Sequence, residues 1–247
     1  MSILSKQVAI VTGASSGIGE AIAVELGKRG VSVVCAARRI DRLDALSTKI
    51  NKAGGHSIAV QCDVGDRDDV AKLAHITKET FGGINILINN AGVMPLSFMD
   101  KGKIDEWDLM VRVNINGVLN GVWATLPHMI EGGGGQIVNV SSIAGKKVVP
   151  GGAVYCGTKH FVHALSEGLR MELAQHNVRV TTIAPGYVVT ELTNTITDDD
   201  VRKRFDAYDD ITPLAPEDIA RSTVHALEAP AHVGINEVVV RPTAQAM

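Results

Sequence analysis

The sequence predicts a doubly wound α/β fold: one Rossmann-type sandwich with a seven-stranded parallel sheet and helices on both faces. Seven short runs rich in β-branched residues recur along the 247 residues, and stretches with helical periodicity separate them. The runs are apolar throughout rather than alternating, as strands buried on both faces are. Strict alternation of strand and helix implies right-handed crossovers and therefore a parallel sheet.

Each element has a local signal. The predicted strands are the apolar runs at 8–12, 31–36, 57–61, 84–88, 136–140, 179–183 and 237–240. The predicted helices, in which apolar residues recur every three or four positions, are 17–29, 41–53, 66–81, 104–130, 154–176 and 216–229. Glycines at 54–55 and 82–83 end two of these helices, and four glycines at 132–135 lead from the long helix into the fifth strand.

Composition limits the classes of function. The chain is 45% hydrophobic and carries a net charge of −3 from 24 basic and 27 acidic residues, so we expect no nucleic acid or membrane partner. Its length suits a single domain over residues 1–247. Three cysteines without a C-x-x-C pair, and no leader or membrane span, indicate a reduced, cytoplasmic protein.

The first strand runs into the glycine-rich stretch TGASSGIG at 12–19. Gly13 would permit a sharp turn, Gly17 a close approach of backbone to a phosphate, and Gly19 packing of the helix on the sheet. The following helix N-terminus offers unpaired N–H groups and a positive dipole end, and Ser15 and Ser16 add hydroxyl donors. Alone this is a weak signal for dinucleotide binding, because the spacing differs from G-x-G-x-x-G.

The stretch resembles the T-G-x-x-x-G-x-G motif of the short-chain dehydrogenase/reductase family. Further landmarks of that family follow in order over nearly the whole chain: Cys62-Asp63-Val64, Asn89-Asn90-Ala91-Gly92, Asn114, Ser142, Tyr155 with Lys159, and Pro185-Gly186. The resemblance implies an NADP-dependent carbonyl reductase. It implies these cofactor-binding residues: Gly13, Ser15, Ser16, Gly17, Ile18, Gly19, Arg38, Arg39, Asp63, Val64, Asn90, Ala91, Gly92, Tyr155, Lys159, Pro185, Gly186, Val188 and Thr190.

The end of the second strand indicates NADP rather than NAD. Ala37 stands where NAD-users of the fold carry an acidic residue for the ribose 2′-hydroxyl, and Arg38 follows it. A guanidinium there could bind a 2′-phosphate. Alternatively, Arg38 or Arg39 could pair with Asp41 or Asp44 on the helix surface. Asp63 likewise has two interpretations, an acceptor for the adenine amino group or a cap for the next helix.

Tyr155 and Lys159 are four residues apart on a predicted helix, so their side chains share a face. A lysine cation about 4 Å from a phenolate would pull the tyrosine pKa from about 10 toward about 7. Tyr155 is therefore the expected acid/base. Ser142, after the fifth strand, could donate a hydrogen bond to the same substrate oxygen. The resemblance adds that Lys159 holds the nicotinamide ribose and that Asn114 supports the proton path.

We expect the substrate pocket to include Met94, Ile143, Val149, Tyr187 and Leu192. This lining is apolar and offers no evident arginine for a carboxylate, which favours an uncharged or amphipathic ketone or aldehyde, unless Lys146 or Lys147 turns inward. The acidic, irregular segment at 190–213 should cover the site as a lid. The resemblance also implies a homo-oligomer, with a tetramer favoured and a dimer possible, formed through the helices at 104–130 and 154–176.

Two other functions stay open. A 3-oxoacyl-carrier-protein reductase would share every motif and would need a basic surface near the site. A non-catalytic NADP-binding sensor would share the fold, but such proteins typically lack the tyrosine or the lysine. We expect no metal site, because no carboxylate or cysteine accompanies His160 and His163 in a ligand set.

Overall fold

A computed structural model describes residues 2–203 and 211–246. Within them lies one seven-stranded, fully parallel sheet in the order β3-β2-β1-β4-β5-β6-β7, which confirms the predicted fold. The strands are β1 (Val8–Thr12), β2 (Ser32–Ala37), β3 (His56–Gln61), β4 (Ile86–Asn89), β5 (Gly135–Val140), β6 (Val178–Pro185) and β7 (Glu237–Val240). All seven predicted strands are present, with ends that differ by up to two residues.

Helices cover both faces of the sheet. They are α1 (Gly17–Lys28), α2 (Ile40–Lys52), α3 (Arg67–Phe81), α4 (Ile104–Met110), α5 (Gly117–Glu131), α6 (Ala153–Leu173), α7 (Asp199–Arg202) and α8 (Pro216–Leu227). Apolar side chains of α1, α2 and α8, such as Leu26, Leu43 and Ile219, pack in one core. Those of α3, α5 and α6, such as Leu73 and Met129, pack in the other. Two buried layers therefore enclose the sheet.

The predicted helix over 104–130 is present, but it is not α-helical throughout. A wide π-helical turn, Val111–Asn116, lies between α4 and α5. Asn114 lies in this turn and is only 1% exposed. Its side-chain amide accepts a hydrogen bond from the Val93 N–H and donates to the Val93 carbonyl, both at 2.9 Å. An extra residue in the helical turn directs Asn114 toward the end of β4, as such turns often do at functional sites.

The order in which successive strands join the sheet reverses at its middle. β1 pairs with β2 on one side and with β4 on the other, so the connections that follow β1 and β4 diverge. In open parallel sheets, ligands bind beyond the carboxyl ends of the strands at this switch point. The glycine-rich stretch after β1 and the asparagine pair at the end of β4 meet there.

The predicted lid begins after β6. Thr190 caps a short 3₁₀ turn, Glu191–Thr195, and α7 follows. Residues 204–210 of the predicted lid lie outside the described residues. Cys35, Cys62 and Cys156 are buried and unbridged. In the described part of the chain, no helix combines the length and the apolar character that crossing a membrane would need.

Gly121 is held against a buried amide network. A Cβ added at Gly121 would lie 2.4 Å from Asn89 Oδ1. Asn89 donates to Asn139, and Asn139 donates to Ser166, each at 2.9 Å. We expect Gly121→Ala to lower the free energy of unfolding by about 1–3 kcal/mol, because overpacking outweighs the gain in helix propensity.

Urea unfolding measures this effect, and Gly168→Ala is the control. Gly168 is also inside a helix, and a Cβ there meets nothing within 4 Å among the described residues. We expect the control to be neutral or more stable by up to about 1 kcal/mol. Equal changes in the free energy of unfolding for the two substitutions would show that the amide network rearranges to accept the added methyl group without cost.

Candidate active site

A cleft of about 730 Å³ lies beyond the carboxyl ends of the central strands. The glycine-rich turn after β1 and the loops after β2, β4, β5 and β6 form its walls, and the start of the predicted lid covers it. A more open hollow of about 570 Å³ borders Phe98 and Val148, but its lining includes neither the turn nor Tyr155 and Lys159. All predicted cofactor and substrate residues except Gly19 line the cleft.

The turn after β1 has no room for side chains. Gly13 and Gly17 have φ angles of +64° and +58°, a region that favours glycine. A Cβ on Gly13 would lie 2.8 Å from Ala91 Cα. Gly19 packs under the turn instead of lining the cleft, since its Cβ would lie 2.4 Å from the Gly13 carbonyl oxygen.

Helix α1 points its N-terminus at the cleft. It begins at Gly17, and the side chain of Ser16, the N-cap residue, makes no capping hydrogen bond to the described residues. The first N–H groups of α1 are therefore available for an anion, and the helix dipole favours one there.

Two arginines follow β2 at the cleft. Arg38 is exposed. Arg39 donates to the hydroxyls of Ser15 and Ser16 at 2.9–3.1 Å and pairs with Glu191 at 2.8 Å. The carboxylate that Arg39 contacts is thus that of Glu191, in the segment predicted to be a lid, and is neither Asp41 nor Asp44. Sequence reasoning missed Glu191, because its partner is 152 residues away in the chain.

The helix-cap interpretation of Asp63 is wrong. Asp66 caps α3, accepting from the N–H groups of Asp68 and Asp69. Asp63 instead lines the cleft, accepting from the Gly65 N–H at 2.9 Å and from Arg112 at 2.8 Å. Burial opposes ionisation of Asp63, but these hydrogen bonds outweigh it and leave the pKa below its usual value.

The residues after β4 brace the glycine-rich turn. Asn90 Nδ2 donates to the Thr12 carbonyl at 2.9 Å and to the Gly13 carbonyl at 3.3 Å. The Thr12 hydroxyl in turn accepts from the N–H groups of Asn90 and Ala91. A Cβ at Gly92 would lie 3.4 Å from Asn114 Oδ1 and 3.7 Å from Lys159 Nζ, so the close packing here brings all three residues together.

Buried Tyr155 and Lys159 and half-buried Ser142 form one group in the cleft. Tyr155 and Lys159 are 7% and 6% exposed. Ser142 hydrogen-bonds the Tyr155 phenol. Lys159 Nζ lies 5.8 Å from the centre of the Tyr155 ring and donates to the Val140 carbonyl at 3.0 Å. Asn114 lies behind this group, outside the cleft lining.

The expectation that the Tyr155 pKa falls toward about 7 is wrong for this structure. Burial raises the pKa of Tyr155 to about 12, and the smaller opposing effect is the hydrogen bond from Ser142. Burial also lowers the pKa of Lys159 to about 8. The expectation assumed a solvated cation close to the phenol oxygen, whereas both groups are dehydrated. Tyr155 is therefore protonated at neutral pH and can donate its proton.

The substrate end of the cleft contains an arginine that the sequence analysis did not find. Met94, Ile143, Val149, Tyr187 and Leu192 line the cleft as expected, and Arg241 and Gln245 line it as well. Gln245 accepts a hydrogen bond from the Tyr187 N–H at 3.0 Å. Arg241 Nε is buried without a hydrogen-bond partner among the described residues. The expectation of a site without arginine is thus wrong.

A signal for Arg241 was present in the sequence. β7 pairs in parallel with β6, with Val240 opposite Pro185, so the residue after Val240 reaches the same sheet edge as Gly186. Exposed Lys147 also lines the cleft, whereas Lys146 pairs with Glu237 at 2.7 Å. Among the described residues, no cluster of three or more His, Cys, Asp or Glu could hold a metal ion.

Known proteins resemble this chain along its length. Residues 7–201 match the family model described as short chain dehydrogenase. The chain is 42% identical to an uncharacterised oxidoreductase of Staphylococcus saprophyticus, and the match covers both chains completely. A metagenomic short-chain oxidoreductase in complex with NADP has a TM-score of 0.83 and 35% identity over 97% of this chain and 98% of its own. A 7α-hydroxysteroid dehydrogenase complexed with NADH and 7-oxo glycochenodeoxycholic acid has a TM-score of 0.87 and 26% identity, over 96% and 93%.

Proposed function

This chain belongs to the short chain dehydrogenase family of NAD(P)-dependent oxidoreductases, and on that premise we propose that it reduces a ketone or aldehyde with NADPH and oxidises the alcohol in reverse. The observation that carries the proposal is that buried Tyr155 and Lys159 and half-buried Ser142 line one cleft, which also contains the glycine-rich turn. A protonated phenol, a hydroxyl donor and an amine at one point suit proton transfer to a carbonyl oxygen.

Four residues have defined roles in this proposal. Tyr155 donates its proton to the carbonyl oxygen during reduction and takes it back during oxidation. Ser142 donates a hydrogen bond where negative charge develops on that oxygen. Lys159 binds the nicotinamide ribose and stabilises the phenolate after proton transfer. Asn114 positions the backbone at Val93 and supports the path by which the proton is replaced. When bound, the cofactor supplies the hydride.

The residues of the cleft fit NADP(H). The glycine-rich turn and the uncapped start of α1 suit a pyrophosphate, because the first N–H groups of the helix have no side-chain cap from Ser16 and the turn lines the cleft. Arg38 and Arg39 at the end of β2 suit a ribose 2′-phosphate. The NADP-bound relative supports this choice, while the NADH-bound relative shows that the fold also accepts a cofactor without the phosphate.

Arg38 provides a direct test of the cofactor. We expect Arg38→Ala to raise the Kd for NADPH about 10- to 100-fold and that for NADH less than about threefold, since only NADPH loses charged hydrogen bonds worth about 1.5–3 kcal/mol. Fluorescence titration of each cofactor measures this. Arg221→Ala, which removes an exposed arginine paired with Asp218 on α8, is the control for net charge. Equal weakening of both cofactors would contradict the role of Arg38.

We propose an amphipathic carbonyl substrate rather than an uncharged one. Apolar contacts come from Met94, Ile143 and Leu192. Arg241, whose buried Nε has no hydrogen-bond partner among the described residues, offers its guanidinium to an anionic group. A carboxylate ketone and its methyl ester separate the two classes. A higher kcat/KM for the acid would support the amphipathic class, and a preference for the ester would contradict it.

A panel of ketones and aldehydes, followed by NADPH consumption, tests the activity itself. We expect turnover with several members and weaker use of NADH. A carrier-bound 3-oxoacyl substrate belongs in the panel, because strong preference for it would favour the carrier-protein reductase. Binding of NADPH without turnover of any carbonyl would contradict a reductase.

We also propose a homotetramer, or failing that a homodimer, formed through α4, α5 and α6. Large apolar side chains on these helices are exposed in the single chain: Ile104, Leu119, Trp123, Ile130 and Met171. Such surfaces commonly mark contacts between subunits. Sedimentation equilibrium measures the mass, and a monomer at micromolar concentration would contradict the proposal.

A further inference from the structure

Glu191 bridges two arginines at the entrance of the cleft. Its carboxylate contacts Arg39 Nη1 at 2.8 Å and Arg42 Nη1 at 2.6 Å. Arg39 belongs to the loop after β2 and Arg42 to α2, whereas Glu191 opens the turn that starts the lid. The bridge therefore joins the lid to the adenosine side of the cleft.

The surrounding contacts place this bridge at the proposed phosphate site. Arg39 also donates to the Ser15 and Ser16 hydroxyls of the glycine-rich turn. Thr190 lies against the same turn, because a Cβ on Gly17 would be 3.2 Å from Thr190 Cγ2. The Glu191 carboxylate is thus already bound to the Arg39 guanidinium, which the proposed function assigns to a ribose 2′-phosphate.

The charge on Glu191 is permanent at working pH. Hydrogen bonds first from Arg42 and then from Arg39 lower the pKa of Glu191 to about 2. A carboxylate and a phosphate present similar oxygens to a guanidinium fork, so they compete for the same donors. Glu191 must release Arg39 before Arg39 can bind a second anion fully.

We propose that Glu191 is a specificity-determining residue, an internal competitor that occupies Arg39 and weakens binding of the 2′-phosphate. The inference rests on the proposed NADP(H) site. Its consequence is that Glu191 narrows the difference in affinity between phosphorylated and unphosphorylated cofactors. It also couples the lid to the cofactor, because Glu191 moves away from Arg39 when that arginine binds phosphate.

The size of the expected change in affinity follows from how exposed Glu191 and its two arginine partners are. The three side chains are 41–46% exposed, and exposed ion pairs are weak. Two such pairs share one carboxylate here, so we expect a change of about three- to tenfold in affinity for a 2′-phosphate.

The test uses Glu191→Gln and two small probes, adenosine 2′,5′-bisphosphate and adenosine 5′-phosphate. The probes differ by the 2′-phosphate alone, and calorimetry gives a Kd for each without any catalysis. We expect the ratio of the two Kd values to shift about three- to tenfold in favour of the bisphosphate. An unchanged ratio would overturn the proposal. Equal weakening of both probes would also overturn it, because it would show that Glu191 helps to retain the adenosine instead of competing with the 2′-phosphate.

Glu20→Gln is the matched control. Glu20 is a nearby carboxylate on α1 that pairs with Lys49 at 3.4 Å, so the substitution removes the same charge without touching Arg39. We expect it to shift the ratio less than twofold. A shift of the Kd ratio equal to that of Glu191→Gln would show that the loss of one negative charge, and not the contact with Arg39, causes the effect. That result would overturn the proposal.

The two proposals fail in different ways. If the wild-type protein binds both probes equally and Arg38→Ala changes neither, the NADP(H) assignment fails. If the wild-type protein prefers the bisphosphate and Glu191→Gln does not sharpen that preference, only the competitor role fails. Thermal unfolding of each variant without ligand shows whether it is folded.

Discussion

Tyr155→Phe should lower kcat for carbonyl reduction by at least about 1,000-fold while the Kd for NADPH changes less than about threefold. The phenyl ring keeps the buried packing, and only the hydroxyl that hydrogen-bonds Ser142 is lost. General acid catalysis contributes roughly 10²–10⁴-fold, and in the proposed function the Tyr155 hydroxyl is the group that gives its proton to the carbonyl oxygen. Single-turnover oxidation of bound NADPH measures the chemical step directly.

Tyr187→Phe is the control for this substitution. Tyr187 also lines the cleft and would lose the same hydroxyl, but the proposed function gives it no part in the proton transfer. We expect a loss of less than about tenfold. A Tyr155→Phe variant that keeps more than a tenth of the wild-type kcat would remove Tyr155 from the proton transfer.

Lys159→Met should nearly abolish turnover and yet stabilise the fold at neutral pH. Burial lowers the pKa of Lys159 from 10.5 to about 8, so holding the ammonium inside costs the folded protein about 3 kcal/mol at pH 7. Methionine removes that cost but leaves the Val140 carbonyl without its donor, a penalty of about 1–3 kcal/mol. The expected net gain in the free energy of unfolding is about 1 kcal/mol, with a loss in kcat of at least about 100-fold.

The pH dependence of this gain checks its cause. Since the pKa is lowered in the folded state, the wild-type protein regains stability relative to the variant as pH rises from about 8 to 10.5, and the difference levels off above that range. Urea unfolding of both proteins at pH 7, 9 and 10.5 measures it. A difference that does not change with pH would show that the buried charge is not its source.

The sequence could predict the strands and the place of the candidate catalytic residues because each depends on local pattern or on order along the chain. Continuous apolar runs located all seven strands, and hydrogen bonding across the sheet then set the ends, as for β6, which extends to Pro185. Tyr155 and Lys159 share a helix face by spacing alone. Ser142 follows from its place after a strand whose end lies at the same edge.

Other features depend on contacts that a single sequence does not display. The π-helical turn at Val111–Asn116 keeps an apolar periodicity, and its cause is the bonding of Asn114 to Val93 across the cleft floor. The pKa of Tyr155 depends on how deeply it is buried, which spacing does not reveal. Arg241 and Glu191 enter the site from remote parts of the chain, one after the last strand and one from the lid.

The switch point between β1 and β4 divides the cleft into two parts that are lined largely by residues from different strands. Residues after β1, β2 and β3 line the part of the cleft that we assign to the adenosine end of the cofactor, whereas those after β5 and β7 line the part that we assign to the substrate. The segment after β6 contributes to both, since Glu191 pairs with Arg39 while Leu192 belongs to the proposed substrate pocket. Outside that segment, evolution or protein engineering could therefore change the cofactor of such an enzyme without changing its substrate. The substrate could likewise be changed without changing the cofactor.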